Sequence, residues 1–165
     1  MIVWLNGAFG VGKTTAAQVV CDQAGWRLFD PDQVGSMIAA NLSDLEFRDF
    51  QDLRPWRRLV PAVAEEIQRY TNTPLVAVQT VLVEDYWAEL AADFEQREMP
   101  VVHVVLDCGT EELRRRIESD EVEGQAKQWR LDRLAEFGRA RDWLTRSADV
   151  ALDTTQSRPK QSPGR

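Results

Sequence analysis

The sequence holds only two cysteines, Cys21 and Cys108, and a single histidine, His103. They form no metal-ligand spacing with one another. Two isolated thiols also make no disulfide framework, which fits a reducing compartment. Both read as ordinary core thiols. No apolar run approaches the roughly 20 residues that a bilayer-spanning helix needs. The N-terminus lacks the basic segment and cleavage site of a signal peptide. A cytoplasmic chain with no transmembrane segment is expected. Positive charge is in deficit, with 20 Lys+Arg against 27 Asp+Glu and a formal net charge of −7. Such a surface does not suit a phosphate backbone, so no nucleic-acid partner is expected. A small phosphate pocket remains open, because it needs only a few cations.

What is present is enough for one core. The 165 residues are the length of a single domain, and 44 % of them are hydrophobic, which excludes wholesale disorder. Apolar runs at Ile2–Leu5, Leu75–Val78, Val101–Leu106 and Val150–Leu152 read as parallel strands buried on both faces. Arg27–Phe29 is a weaker fifth. Helical patterns alternate with them, which predicts an α/β sheet of βαβ units. Ser43 and Glu46 suggest a capping box opening a helix through Leu53. Thr110 suits the cap of a later helix. Val63, Ile67 and Tyr70 share a helical face, and Leu131, Leu134 and Gly138 give another helix an apolar stripe reaching towards Trp143. Pro61 predicts a break near Arg57–Val60. The polar stretch Glu118–Gln128 reads as a mobile loop. The domain is expected to span 1–153, followed by a disordered tail over 154–165.

The chemistry sits near the start. Residues Gly7–Thr14 read GAFGVGKT, the phosphate-binding pattern G-x-x-x-x-G-K-[ST], between a strand and a helix. Glycines let the backbone approach a phosphate, and successive N–H groups form an anion nest at the helix N-terminus. The expected nucleotide site is Gly7, Ala8, Phe9, Gly10, Val11, Gly12, Lys13, Thr14 and Thr15. Lys13 is expected to bridge the β and γ phosphates of ATP, Thr14 to ligate Mg²⁺, and Thr15 to reach the α phosphate.

Asp30 and Asp32 follow the second strand as FDPD. Ligands bind beyond the carboxyl ends of parallel strands. A carboxylate there serves either as a base or metal-water ligand, or as a cap on the next helix. The third strand runs LVAVQTVL, with Gln79 and Thr80 where the usual Walker-B acid is expected. Magnesium binding then leans on Thr14, water and Asp30. Arg114, Arg115 and Arg116 precede the polar loop, while Arg130 and Arg133 follow it. They suit either a lid closing over phosphates or a solvated face paired with Glu111, Glu112 and Glu118. Arg54, Arg57 and Arg58 surround Trp56 as either an acceptor wall or a surface anchor. His103 and the remaining tryptophans read as core.

The opening MIVWLNGAFGVGKT resembles the tunicamycin-resistance protein family, a branch of the P-loop kinase-like ATP-binding proteins. FDPDQVG at 29–35, DFQ at 49–51, Trp56-Arg57, the region at 76–87 with Thr80 and Tyr86, and Asp132-Arg133 are similar too. The resemblance reaches about Leu144. It implies a three-layer P-loop NTPase fold with a five-stranded parallel sheet in the order 2-3-1-4-5, like nucleoside monophosphate and shikimate kinases. It implies acceptor binding by Asp30, Asp49, Gln51 and Arg57, with Asp32 and Thr80 alongside. It implies a lid at about 117–130 with Arg116, and a nucleotide contact at Arg133. The chain departs from the pattern where Ser119–Glu121 replace a second lid arginine, and where a polar tail replaces the helix after the fifth strand.

These readings predict phosphorylation of a small hydroxyl-bearing molecule, such as a nucleoside-like antibiotic of the tunicamycin kind. Lys13, Asp30 and Arg116 would carry the chemistry. Antibiotic resistance itself does not follow from these residues. The alternatives are a non-catalytic ATP-binding module that sequesters a drug or regulates a partner, and a polynucleotide end kinase, which the net acidity disfavours.

Overall fold

Alternation along the central strand sets the layers of the molecule. In β1 (Ile2–Gly7), Ile2 and Trp4 point into the larger apolar cluster and Val3 and Leu5 into the smaller. The computed structural model describes residues 1–119 and 127–156. Within them, β1 is joined by β2 (Arg27–Phe29), β3 (Leu75–Val78), β4 (Val101–Asp107) and β5 (Val150–Asp153). The strands form one parallel sheet in the order β2-β3-β1-β4-β5, as expected. Helices α1 (Lys13–Ala24), α2 (Pro31–Ala40), α3 (Arg54–Thr71), α4 (Glu84–Gln96), α5 (Thr110–Glu118) and α6 (Lys127–Ser147) cover its two faces. No described helix is long and apolar enough to cross a membrane.

The larger cluster is built around Trp4, which meets Trp87 and Phe94 edge-on at centroid distances of 5.6 and 6.1 Å. The smaller cluster is Leu5, Ala17 and Val76 with Val3, Val20, Cys21 and Val78 packed around them, so α1 covers that face. Burial of every strand on both faces does not hold. All four residues of β5 are exposed, with Val150 at 40 % and Leu152 at 49 %. An edge strand has one neighbour, and no described helix follows β5 to cover it.

Five local expectations are corrected. No helix opens at Ser43. The chain instead turns through 41–49 and forms only a 3-10 turn at Phe50–Asp52, where Asp49 accepts from the Gln51 amide at 3.1 Å. Helix α5 begins at Thr110 itself, with Gly109 in the cap position. Helix α3 runs unbroken through Pro61. Trp56, Val60, Pro61 and Ala64 are all buried on one side of it, and that packing outweighs the roughly 3 kcal/mol an internal proline costs. On α6 the buried stripe is Leu134, Phe137, Ala140, Trp143 and Leu144, while Gly138 faces outward. Tyr70 is likewise exposed rather than packed beside Val63 and Ile67. Of the polar loop, residues 120–126 lie outside the described residues, as do 157–165 of the tail. The first tail residues are held: Thr154 donates to Asp107 O at 3.0 Å, and Thr155 accepts from the Gly109 amide at 2.9 Å.

Gly7 ends β1 at φ 135°, and a Cβ there would lie 2.3 Å from the carbonyl oxygen of Leu106. Gly7→Ala is expected to cost about 2–4 kcal/mol from strain and overpacking together. Urea unfolding of the variant against the parent measures this.

Candidate functional site

The turn after β1 places a cation where the backbone is most open. Gly10 and Gly12 take φ of 78° and 99°, conformations that favour glycine. Gly12 leads directly into α1, with no side-chain cap. The first amides of that helix are therefore left to the turn, as an anion nest requires. Lys13 is buried and folds back across the turn. Its Nζ donates to Gly7 O at 3.0 Å and to Ala8 O at 2.8 Å. Burial first, then the charge of Arg130, brings its pKa down to about 7. Thr14 is exposed at the mouth, and Thr15 is half-buried. Ala8 and Val11 are buried beneath the turn, while Phe9 reaches outward to meet Trp129 edge-on at 4.8 Å.

Of the arginines that flank the polar loop, Arg130 is the one that reaches the turn from α6. It is buried, and its Nη2 lies 3.8 Å from where a Gly10 Cβ would sit. Only the α5–α6 pairing, through Ile117 and Arg116 beside the same glycine, brings it to the turn. Its place just after the polar loop was the one hint. Arg116 is also beside Gly10, but its guanidinium is held by Glu112 at 2.8 Å and by Thr154 O at 2.7 Å. Arg115 pairs with Glu112 on an exposed face, and its hydrogen bond, followed by that of Arg116, brings the Glu112 pKa down to about 2.

The residues expected to face an acceptor gather at the ends of β2 and β3. Asp30 caps α2: one oxygen accepts from the Asp32 amide at 3.0 Å and the other from Gln33 Nε2 at 3.2 Å. Asp32 lies on the solvent side of that turn, yet its carboxyl is crowded. Desolvation and the charge of Asp30 push its pKa up, a hydrogen bond from Gln79 opposes them, and Asp49 adds to the rise. Gln51 is buried and donates to Thr80 O at 2.8 Å. Thr80 in turn donates to Gly7 O at 2.9 Å, so it ties β3 to the phosphate turn.

The arginines here are committed. Arg57 pairs with Glu89 at 2.7 Å, donates to the carbonyl of Gln51, and lies over Tyr86 at 4.3 Å. Arg133 pairs with Asp49 at 2.5 Å and with Glu136 at 2.8 Å, and lies over Trp129. The structure thus sets Arg133, expected at the nucleotide, against Asp49, expected at the acceptor. Trp56 is wholly buried with its indole N–H on Pro31 O, so it is core rather than an acceptor wall. Among the described residues no group of three His, Cys, Asp or Glu is placed to hold a metal ion. The donors that fit a metal carried by a polyphosphate are the exposed Thr14 hydroxyl and solvent.

A family model described as an AAA domain matches residues 2–140. Among solved structures, the chain is similar to a tunicamycin resistance protein from Deinococcus radiodurans, with 23 % identity and a TM-score of 0.68. That match covers 93 % of this chain and 85 % of the other. It is similar also to a shikimate kinase from Bacteroides thetaiotaomicron, at 15 % identity and a TM-score of 0.58, covering 93 % and 86 %. A gluconokinase from Sinorhizobium meliloti 1021 matches at 19 % identity and a TM-score of 0.52, covering 89 % and 93 %. At such identities the likeness is one of fold. No curated protein matches.

The lowered Lys13 pKa has a consequence for stability. Between about 7 and its ordinary value of 10.5, the unfolded chain holds a proton that the folded chain lacks. Stability is therefore expected to rise as pH climbs through that window, and the penalty is fully present below it. Lys13→Met should flatten this part of the profile, as read by urea unfolding at a series of pH values.

Proposed function

The chain belongs to the AAA domain family, and from that premise we propose that it is an ATP-dependent phosphotransferase acting on a small hydroxyl-bearing acceptor. The observation that carries the reading is the buried Lys13 ammonium inside the glycine turn, with Arg130 beside it. A buried ammonium held only by backbone carbonyls is costly unless an anion joins it. The surrounding amides suit the same anion. The fold supports the class of reaction, since the similar structures include a shikimate kinase and a gluconokinase. We infer a cytoplasmic enzyme, because this chemistry draws on the ATP pool there.

Bound Mg·ATP would supply the phosphoryl group. The amides over Phe9–Thr15 would wrap its phosphates, and Lys13 would exchange the Gly7 and Ala8 carbonyls for the β and γ oxygens. The Thr14 hydroxyl would face the metal. Arg130, with Arg116 beside it, would offset the charge that builds as the group transfers. On the acceptor side, Asp32 is the better proton acceptor: its crowded carboxyl has a raised pKa, whereas both Asp30 oxygens hold the start of α2. Asp30 then acts through Asp32, by fixing the turn that carries it. Arg133 and Arg57 would orient Asp49 and Gln51 towards the acceptor.

A second reading is a non-catalytic ATP-binding module that sequesters a drug or regulates a partner. Its support is the end of β3, where Gln79 and Thr80 stand and the Thr80 hydroxyl is spent on Gly7 O. Calorimetry and a labelled-ATP transfer screen separate the two. The screen covers sugars, nucleosides, tunicamycin and other small alcohols. Lys13→Ala is expected to abolish the heat of Mg·ATP binding, and unchanged affinity would overturn the nucleotide site. Asp32→Asn is expected to lower kcat by about 10²–10⁴-fold with ATP affinity kept. Tight ATP binding with no transfer to any alcohol would favour the module.

A further inference from the structure

A second cavity opens at the far end of the sheet. It has a volume of about 470 Å³ and lies between α4, the start of β4 and the segment before β5. That volume is within the range of small-ligand pockets, roughly 300–1,000 Å³. Val101 lines it and pairs with Ile2 at the start of β1, whereas Gly7 of the glycine turn pairs with Leu106. Five strand steps, roughly 17 Å, separate the two levels. The cavity is thus not part of the site described above.

Its lining has two chemistries. Trp87, Met99 and His103 form an apolar and aromatic wall. The wall is rigid, because the rings of Trp87 and His103 stack at 3.9 Å and the imidazole is pinned by Asn6 and the Ser147 carbonyl. Burial lowers the His103 pKa, so the imidazole is neutral and adds no positive charge. Glu95, Glu98 and Asp149 supply the other chemistry at the rim. Glu98 takes φ 54° in the left-handed position just after α4, where glycine or asparagine is the usual choice. Its amide bonds Glu95 O and the next amide bonds Phe94 O, which turns the chain so that Glu95 and Glu98 both line the cavity. The adjacent cation is committed elsewhere: Arg97 pairs with Asp93 at 2.6 Å and Glu65 at 2.8 Å. Among the described residues, no lysine or arginine pairs with Glu95, Glu98 or Asp149.

We propose that this cavity is a second small-molecule site, which takes an organic cation with a flat apolar body. The body would lie against the Trp87–His103 wall and the ammonium among the rim carboxylates. Attraction of the ammonium to the rim carboxylates favours that charge over a neutral or anionic ligand of the same shape.

The test uses the full chain, ¹⁵N-labelled, and three probes of one shape: tryptamine, tryptophol and indole-3-acetate. Tryptamine is expected to shift the Trp87 indole N–H and the His103 amide saturably. Its affinity should be at least fivefold above that of tryptophol, and indole-3-acetate should bind more weakly still. The surface variant Glu95→Gln/Glu98→Gln should lose the preference for tryptamine, with the fold checked by circular dichroism. Ala91 also lines the cavity, so Ala91→Trp, which fills it, should abolish the shifts, and Lys13→Ala should leave them unchanged. Equal affinity for the three probes, or an unaltered preference in the double variant, would overturn the proposal. So would shifts centred on Gly10 and Lys13 instead. A failure of this kind leaves Mg·ATP binding by the parent chain untouched, so it is separable from a failure of the phosphotransfer reading.

Discussion

A cation held inside the first strand-to-helix turn governs this molecule. The Lys13 ammonium has left water for two carbonyl oxygens, beside a second buried cation. That arrangement costs stability. Much of the neighbouring structure holds it in place. Thr80 ties the end of β3 to the Gly7 carbonyl, Asn6 bonds both the Gly7 and Val81 amides, and Thr154 reaches the Val11 carbonyl. The turn is thereby braced from β3 and from beyond β5 as well as from β1 and α1.

The proposed acceptor side is built on a different principle. Its arginines are not waiting for a ligand's charge. They are paired with carboxylates of other elements, Arg57 with Glu89 and Arg133 with Asp49. Each pair fixes one segment against another: α3 against α4, and α6 against the stretch before the 3-10 turn. Phe9 of the phosphate turn touches Trp129, over which Arg133 lies. The two halves of the proposed site therefore share one row of side chains, and a shift in α6 is felt on both sides.

Much of this was legible in the chain. The phosphate turn is a local object, since its glycines, lysine and threonine occupy consecutive positions and their spacing states the geometry. The strands were legible for a similar reason, because continuous apolar runs need cover on both faces. Local signals failed where a distant contact outweighed them. Ser43 and Glu46 have the spacing of a capping box, but the Asp49 side chain organises the segment instead. Pro61 has every local reason to break α3, yet the burial of Trp56 and Val60 keeps it whole. Gly138 fits the period of an apolar stripe that Phe137 in fact occupies.

Sequence by itself determined the parallel α/β sheet, its order through the family resemblance, and the glycine-lysine turn with the phosphate-binding pattern. These depend on residues adjacent in the chain or on a repeating pattern, so no knowledge of the fold is needed to see them. Tertiary structure alone decided that Arg130 stands beside Lys13, that Asp32 lies against Gln79 and Asp49, and that His103 walls a cavity at the far end of the sheet. Each of these joins elements tens of residues apart, and charge, burial and pKa are set by what packing brings within a few ångströms.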